Sequence, residues 1–79
     1  MVTILSEHHL KYKINDNDHN PPHVHVEGLG CAIRINLMTL EPMDAKTEFS
    51  KGTVNKIVTF VRENRQLFIS EWERIHGED

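Results

Sequence analysis

Five of the six histidines, His8, His9, His19, His23 and His25, fall within the first 25 residues, and His76 alone lies near the other end. Imidazole is the side chain that exchanges protons near pH 7 and binds transition metals through its neutral nitrogens. The run His23-Val24-His25-Val26-Glu27 has period two. On a strand it puts the two histidines and Glu27 on one face and the valines on the other. Residues two apart on a strand are about 6.5–7 Å from each other, so both rings can reach one ion. Zinc, or another divalent transition metal, takes His nitrogens with a third His, Asp or Glu ligand. His23, His25 and Glu27 are therefore candidate metal ligands, with His19 or Asp18 able to fold back across the preceding loop. One ion per chain is the expected content.

The same rings support chemistry without metal. One imidazole can take the proton of a ribose 2′-hydroxyl while the other protonates the leaving oxygen. Lys11, Lys13 or Arg34 would then stabilise the charge developing on phosphate. His23 and His25 are the candidate catalytic pair, with Lys13 and Arg34 as supporting cations. The plainer alternative is a solvated sheet face carrying His-x-His, beside a turn that Asp18 or Asn20 caps through local backbone amides. His8 and His9, being adjacent, would point to opposite faces of a strand and read as surface or edge residues. Trp72 reads as a core anchor, Cys31 as a packed thiol, and the three cations can equally be ordinary exposed charges.

These residues need elements to hold them. Leu10 to Asn15 alternates apolar and polar, which suits a strand with one buried face. Asp16 to Pro22 breaks it, because Asn and Asp favour turns and proline cannot donate to a ladder. Either isomer of the Asn20-Pro21 bond is compatible with the sequence. A second strand follows at His23–Glu27, and Gly28-Leu29-Gly30 signals a hairpin. Cys31, Ile33, Ile35 and Leu37 mark a third strand, with a turn or short fourth strand over Thr39 to Pro42. Val54, Ile57, Val58 and Val61 then trace a helical stripe capped by Ser50 or Thr53. Asn64 ends that helix and begins another, where Phe68, Ile69, Trp72 and Ile75, with His76 as an optional member, recur up to a stop at Gly77. The expected fold is α+β: a small antiparallel sheet of three to four strands followed by two C-terminal helices packed on one face. Residues 1–79 form a single domain, with a strand-rich part at 1–42 that carries the His-rich loop and a helical pair at 50–77.

Composition bounds the function. Seventy-nine residues at 38% hydrophobic and 27% charged suffice for one small core. A core of this size is only marginally stable, so an ion, a partner protein or an oligomer would add usefully to it. A lone cysteine cannot form an internal disulfide, which fits a reducing cytoplasm. No apolar run approaches the roughly 18 residues of a membrane span. The net charge is −3, split as −1 over residues 1–40 and −2 over 41–79, and neither half carries a basic stripe. Affinity for nucleic acid grows with the number of phosphates neutralised, so RNA is a candidate target without electrostatic support.

The motif Asp18-His19-Asn20-Pro21-Pro22-His23-Val24-His25-Val26 resembles that of the bacterial family known as domain of unknown function 4160. The resemblance extends over the Thr3-Ile4 start, the strand before the motif, Ile33 and Ile35, the Leu40-Glu41 turn and a helix from Leu67 to Trp72. It departs at Asp44 to Phe49, where members often carry Gly and Pro. The resemblance implies a toxin-like component of a two-gene toxin and antitoxin module, with a small partner of the domain of unknown function 2442 type. It supplies no catalytic residue. Asp18, His19, Asn20, Pro21 and Pro22 form its motif loop, and His23 and His25 complete the positions to test. Three readings stand together: a toxin-like protein acting on RNA, a non-enzymatic protein-binding module, and a metal-binding domain.

Overall fold

Alternation of apolar and polar side chains builds the sheet. In the computed structural model, which describes residues 2–7, 9–16, 20–44 and 47–77, four antiparallel strands follow one another in the order of the chain. They are β1 (Val2–Glu7), β2 (Leu10–Ile14), β3 (His23–Gly28) and β4 (Cys31–Asn36). Two helices complete the fold, α1 (Lys51–Glu63) and α2 (Arg65–His76). The arrangement is the expected α+β sheet with C-terminal helices.

Register decides which side chains share a face. Tyr12 pairs with Val26 and Val26 with Ile33, while Lys13 pairs with His25 and His25 with Arg34. Pairs directly across a ladder point the same way. One face therefore carries Leu10, Tyr12, Ile14, Val24, Val26, Ile33 and Ile35, all buried. The opposite face carries Lys11, Lys13, His25, Glu27, Ala32 and Arg34. The helices close the apolar face through Ile57 and Val61 of α1 and Phe68 and Trp72 of α2. Tyr12 joins both helices, its ring lying 4.6 Å from Phe60 and 5.9 Å from Phe68 between centroids. Each such fully buried side chain contributes roughly 1.5–3 kcal/mol.

Local signals set the ends. The Ser50 hydroxyl accepts from the Thr53 amide at 3.2 Å, so Ser50 rather than Thr53 is the cap of α1. Asn64 separates the helices, and Gly77 at φ 81° stops the second. In the β3–β4 hairpin, a Cβ at Gly28 would lie 2.4 Å from the carbonyl oxygen of His9. Only glycine lets these two turns pack at one end of the sheet.

Of the two options for Thr39 to Pro42, the turn is the one that forms, and the fourth strand is β1 at the start of the chain, which sequence alternation did not reveal. A register shift between Thr3 and Leu5 inserts an extra residue into β1, which brings apolar residues side by side and erases the alternation. At the other position, Asn36 Oδ1 accepts from the amides of Met38 and Thr39 at 2.7 and 3.1 Å. That turn leaves a single bridge between Ile35 and Pro42 in place of a strand. His9 is likewise a turn residue, at φ 67°, and His8 lies outside the described residues.

Candidate functional site

The prolines of the motif fix His23. The Asn20-Pro21 peptide is cis. Pro22 offers its carbonyl to the Leu37 amide at 2.9 Å, which ties the loop to the end of β4. His23 Nδ1 lies 2.8 Å from the carbonyl oxygen of Pro21. A carbonyl only accepts, so Nδ1 carries the proton and Nε2 is the basic nitrogen of the neutral ring. The residue is 4% exposed. Its ring meets Trp72 at 5.3 Å and His25 at 5.1 Å between centroids.

Trp72 holds a second imidazole. Its indole stacks on His76 at 3.8 Å with 23° between planes, and His76 Nδ1 donates to the Trp72 carbonyl at 3.0 Å. The i, i+4 spacing of Trp72 and His76 places them on one side of α2. His23, Trp72 and His76 thus form one aromatic cluster where β3 begins. This corrects the expectation that His23 shares a solvated face with His25. Alternation gives it the same direction, but α2 closes over the strand's first residue.

His25 occupies a different setting. It is half-buried in the middle of the helix-free face, with Lys13 across one ladder and Arg34 across the other. Both cations are held by carboxylates. Lys13 Nζ donates to Glu27 Oε1 at 2.7 Å. Arg34 donates Nη2 and Nε to Asp44 Oδ1 at 2.8 and 3.2 Å, and its backbone amide to Asp44 Oδ2 at 2.9 Å. The Lys13 hydrogen bond, aided by the Lys13 charge, holds the Glu27 carboxyl below its ordinary value against the opposing effect of burial. The Arg34 guanidinium does the same for Asp44, again against burial and helped by its amide and charge. His25 lowers both further through its charge. Between these groups lies an open groove of about 360 Å³ lined by His25, Glu27, Ala32, Ile33, Arg34 and Asp44.

Sequence reasoning placed His23, His25 and Glu27 on one face and offered Lys13 and Arg34 as supporting cations without a position; the ladder register sets Lys13 and Arg34 on either side of His25. The structure separates His23 from them in accessibility. Asp44 was missed. The signal lay in the chain's return after Pro42, where the Met43 amide donates to the Arg34 carbonyl at 2.8 Å and delivers Asp44 to the guanidinium. The joining of Trp72 and His76 to His23 was also missed, although their i, i+4 spacing was visible. Trp72 is the core anchor expected, at 6% exposed. Cys31 packs half-buried against the core, and its thiol reaches the Leu29 carbonyl at 3.6 Å. Lys11 is exposed. Asp18 and His19 lie outside the described residues. Among the described residues no three of His, Cys, Asp and Glu gather as a metal-binding group.

The sequence profile of the family described as a domain of unknown function, DUF4160, matches residues 10–73. The chain belongs to the DUF4160 family. The match spans β2 through most of α2, so it covers His23, Trp72 and the His25 face of this DUF4160 chain and stops short of His76. No curated protein and no solved structure matches it. No helix among the described residues is long and apolar enough to cross a membrane.

Proposed function

We propose that this DUF4160 protein is a non-enzymatic binding module. Its helix-free sheet face docks a second small protein, of the domain of unknown function 2442 type that the motif resemblance implies. One observation carries the reading: the groups that a two-histidine reaction would use are already engaged. His23 is buried, bonded to Pro21 and packed on Trp72, while Lys13 and Arg34 are paired with Glu27 and Asp44. Charges of both signs interleaved on an open face suit a partner surface of mixed charge, since complementary potentials set register and exclude wrong partners. A polyanion would meet Glu27 and Asp44 along with the cations, which disfavours phosphate. The metal reading gains no support from Glu27, whose carboxylate is taken up by Lys13.

A second reading rests on His25 itself, half-buried in a groove between two cations. In that reading the protein is the toxin-like half of its module, and His25 acts on RNA as a lone general base. Co-expression with the partner, followed by sizing and calorimetry, separates the two. The expected result is a complex that His25→Ala leaves intact and that Arg34→Glu weakens at least about tenfold. Cleavage of total RNA by the isolated protein, abolished by His25→Ala in a folded variant, overturns the binding module in favour of catalysis.

A further inference from the structure

Ala32 is the smallest side chain of the helix-free face, and its neighbours there are long. It pairs with Glu27, and the next rung on the same face joins His25 to Arg34. A short side chain ringed by longer ones leaves a hollow. The groove of about 360 Å³ lies over it, walled by Glu27 on one side and by Arg34 with Asp44 on the other. That volume is roughly a dozen times the ~30 Å³ share of a water molecule, so the groove has room for a side chain and not only for an ion.

The hydrogen-bonding capacity left in this hollow belongs to acceptors. Among the described residues the Glu27 side chain has one hydrogen-bond partner, Lys13, which takes Oε1 and leaves Oε2 for another donor. Asp44 Oδ1 accepts twice from the Arg34 guanidinium, whereas Oδ2 accepts once, from the Arg34 amide. Each carboxylate oxygen has lone pairs for two donors. Both side chains are reachable, at 42% exposed for Glu27 and 29% for Asp44. Both are ionised at neutral pH, since Lys13 and Arg34 hold them below their ordinary values. The lining thus sets two carboxylates against one guanidinium, and that guanidinium is committed to Asp44. The complementary ligand is a cation that carries several donors.

We propose that the groove over Ala32 is a receptor site for an arginine side chain of the docked protein, whose guanidinium donates to the carboxylates of Glu27 and Asp44. The inference rests on the binding-module reading and names the group by which the partner is anchored. A guanidinium presents five donors in a planar fork that matches carboxylates, and it gives up water more readily than an ammonium. Arginine is also enriched among the few side chains that carry most of an interface's energy when seated in a pocket. An acidic side chain entering the same hollow would meet a carboxylate on each wall. Arg34 acquires a definite part in docking, because it holds Asp44 in place as the groove's wall. Arg34→Glu then weakens the complex by turning that pair into a repulsion and dismantling the site.

Nuclear magnetic resonance titration of the isotope-labelled chain tests the site without the partner. The probes are acetyl-arginine amide, its neutral near-isostere acetyl-citrulline amide, and acetyl-aspartate amide. The expected result is saturable shifts of the Glu27, Ala32 and Ile33 amides with the arginine probe at millimolar concentration, at least about fivefold weaker binding of citrulline, and none of aspartate. Ala32→Leu fills the hollow from an exposed position without touching the core, and Glu27→Gln removes one wall's charge; each should weaken the arginine probe at least about fivefold. In the two-protein complex, replacing the partner's arginines by alanine one at a time should find one whose loss costs at least about tenfold and couples to Glu27→Gln in a double-mutant cycle. No saturable binding of the arginine probe, equal binding of citrulline, or indifference to Ala32→Leu overturns the receptor site. A complex in which no partner arginine couples to Glu27 overturns it too and leaves the binding module standing. Failure of any complex to form overturns the binding module instead, and is told apart because the probe titration is read on this chain alone.

Discussion

His23 and His25 are two residues apart on one strand and point the same way, yet they live in different chemical surroundings. His23 stands at the strand's first position, where α2 crosses the end of the sheet and brings Trp72 against it. His25 stands one pleat further along, half-buried and between two ion pairs. Sequence spacing alone makes the pair equivalent. Packing makes one a part of the core and the other a part of the surface, and so the motif divides into a buried histidine and a half-exposed one.

The largest effect should come from the residue that creates this division. Trp72→Ala removes a buried indole that touches His23, His76 and the core beneath them. Truncating a buried tryptophan costs about 3–5 kcal/mol, a large share of what a domain this small possesses. Chemical denaturation should show that loss, and the comparison would fail at its root if the variant were as stable as the native protein.

The histidines themselves give the sharper test. His23→Ala deletes a buried ring and leaves the Pro21 carbonyl without its donor, so a loss of about 1–3 kcal/mol is expected. His25→Ala opens no cavity in the core and should fall within about 0.5 kcal/mol of the native value. Equal losses, measured by urea midpoint at constant slope, would show that the helix does not distinguish the two positions.

Much of the fold could be read from the chain because β2, β3 and β4 alternate with period two and both helices carry apolar stripes with identifiable caps. The unread part has physical causes. The bulge at Thr3 to Leu5 hid β1 by disturbing its period, and Asn36 turned the chain where a further strand was one option. For the site, alternation put His23, His25 and Glu27 on one face but carried no information on the register that sets Lys13 and Arg34 beside His25, nor on which helix residue would pack against His23. That depends on long-range packing of Trp72. Asp44 joined the face by a return of the chain whose direction no local propensity specifies.

The smallest effect concerns the surface half of the comparison, where stability should respond to acid through the two carboxylates beside His25. Glu27 and Asp44 both titrate below their ordinary values in the folded protein because Lys13 and Arg34 donate hydrogen bonds to their ionised forms. A carboxyl with a depressed folded value binds its proton more readily when unfolded. Its contribution is therefore complete above the unfolded value, near pH 4, and disappears as pH falls through the lower folded value. Since both side chains are partly in water, the contribution of each is screened and modest. Asp44→Asn should flatten the acid limb of the stability curve more than Glu27→Gln does, because Asp44 accepts from the Arg34 backbone amide as well as from its guanidinium. Added salt should narrow the difference between each variant and the native protein. His23→Ala should leave the acid limb's dependence on Asp44 in place, since the carboxylates sit around His25 and not in the Trp72 cluster. If removing either carboxylate instead changed the curve as strongly as removing Trp72, the ion pairs of the open face would be as integral to the fold as the buried cluster, and the separation between the two histidines would collapse.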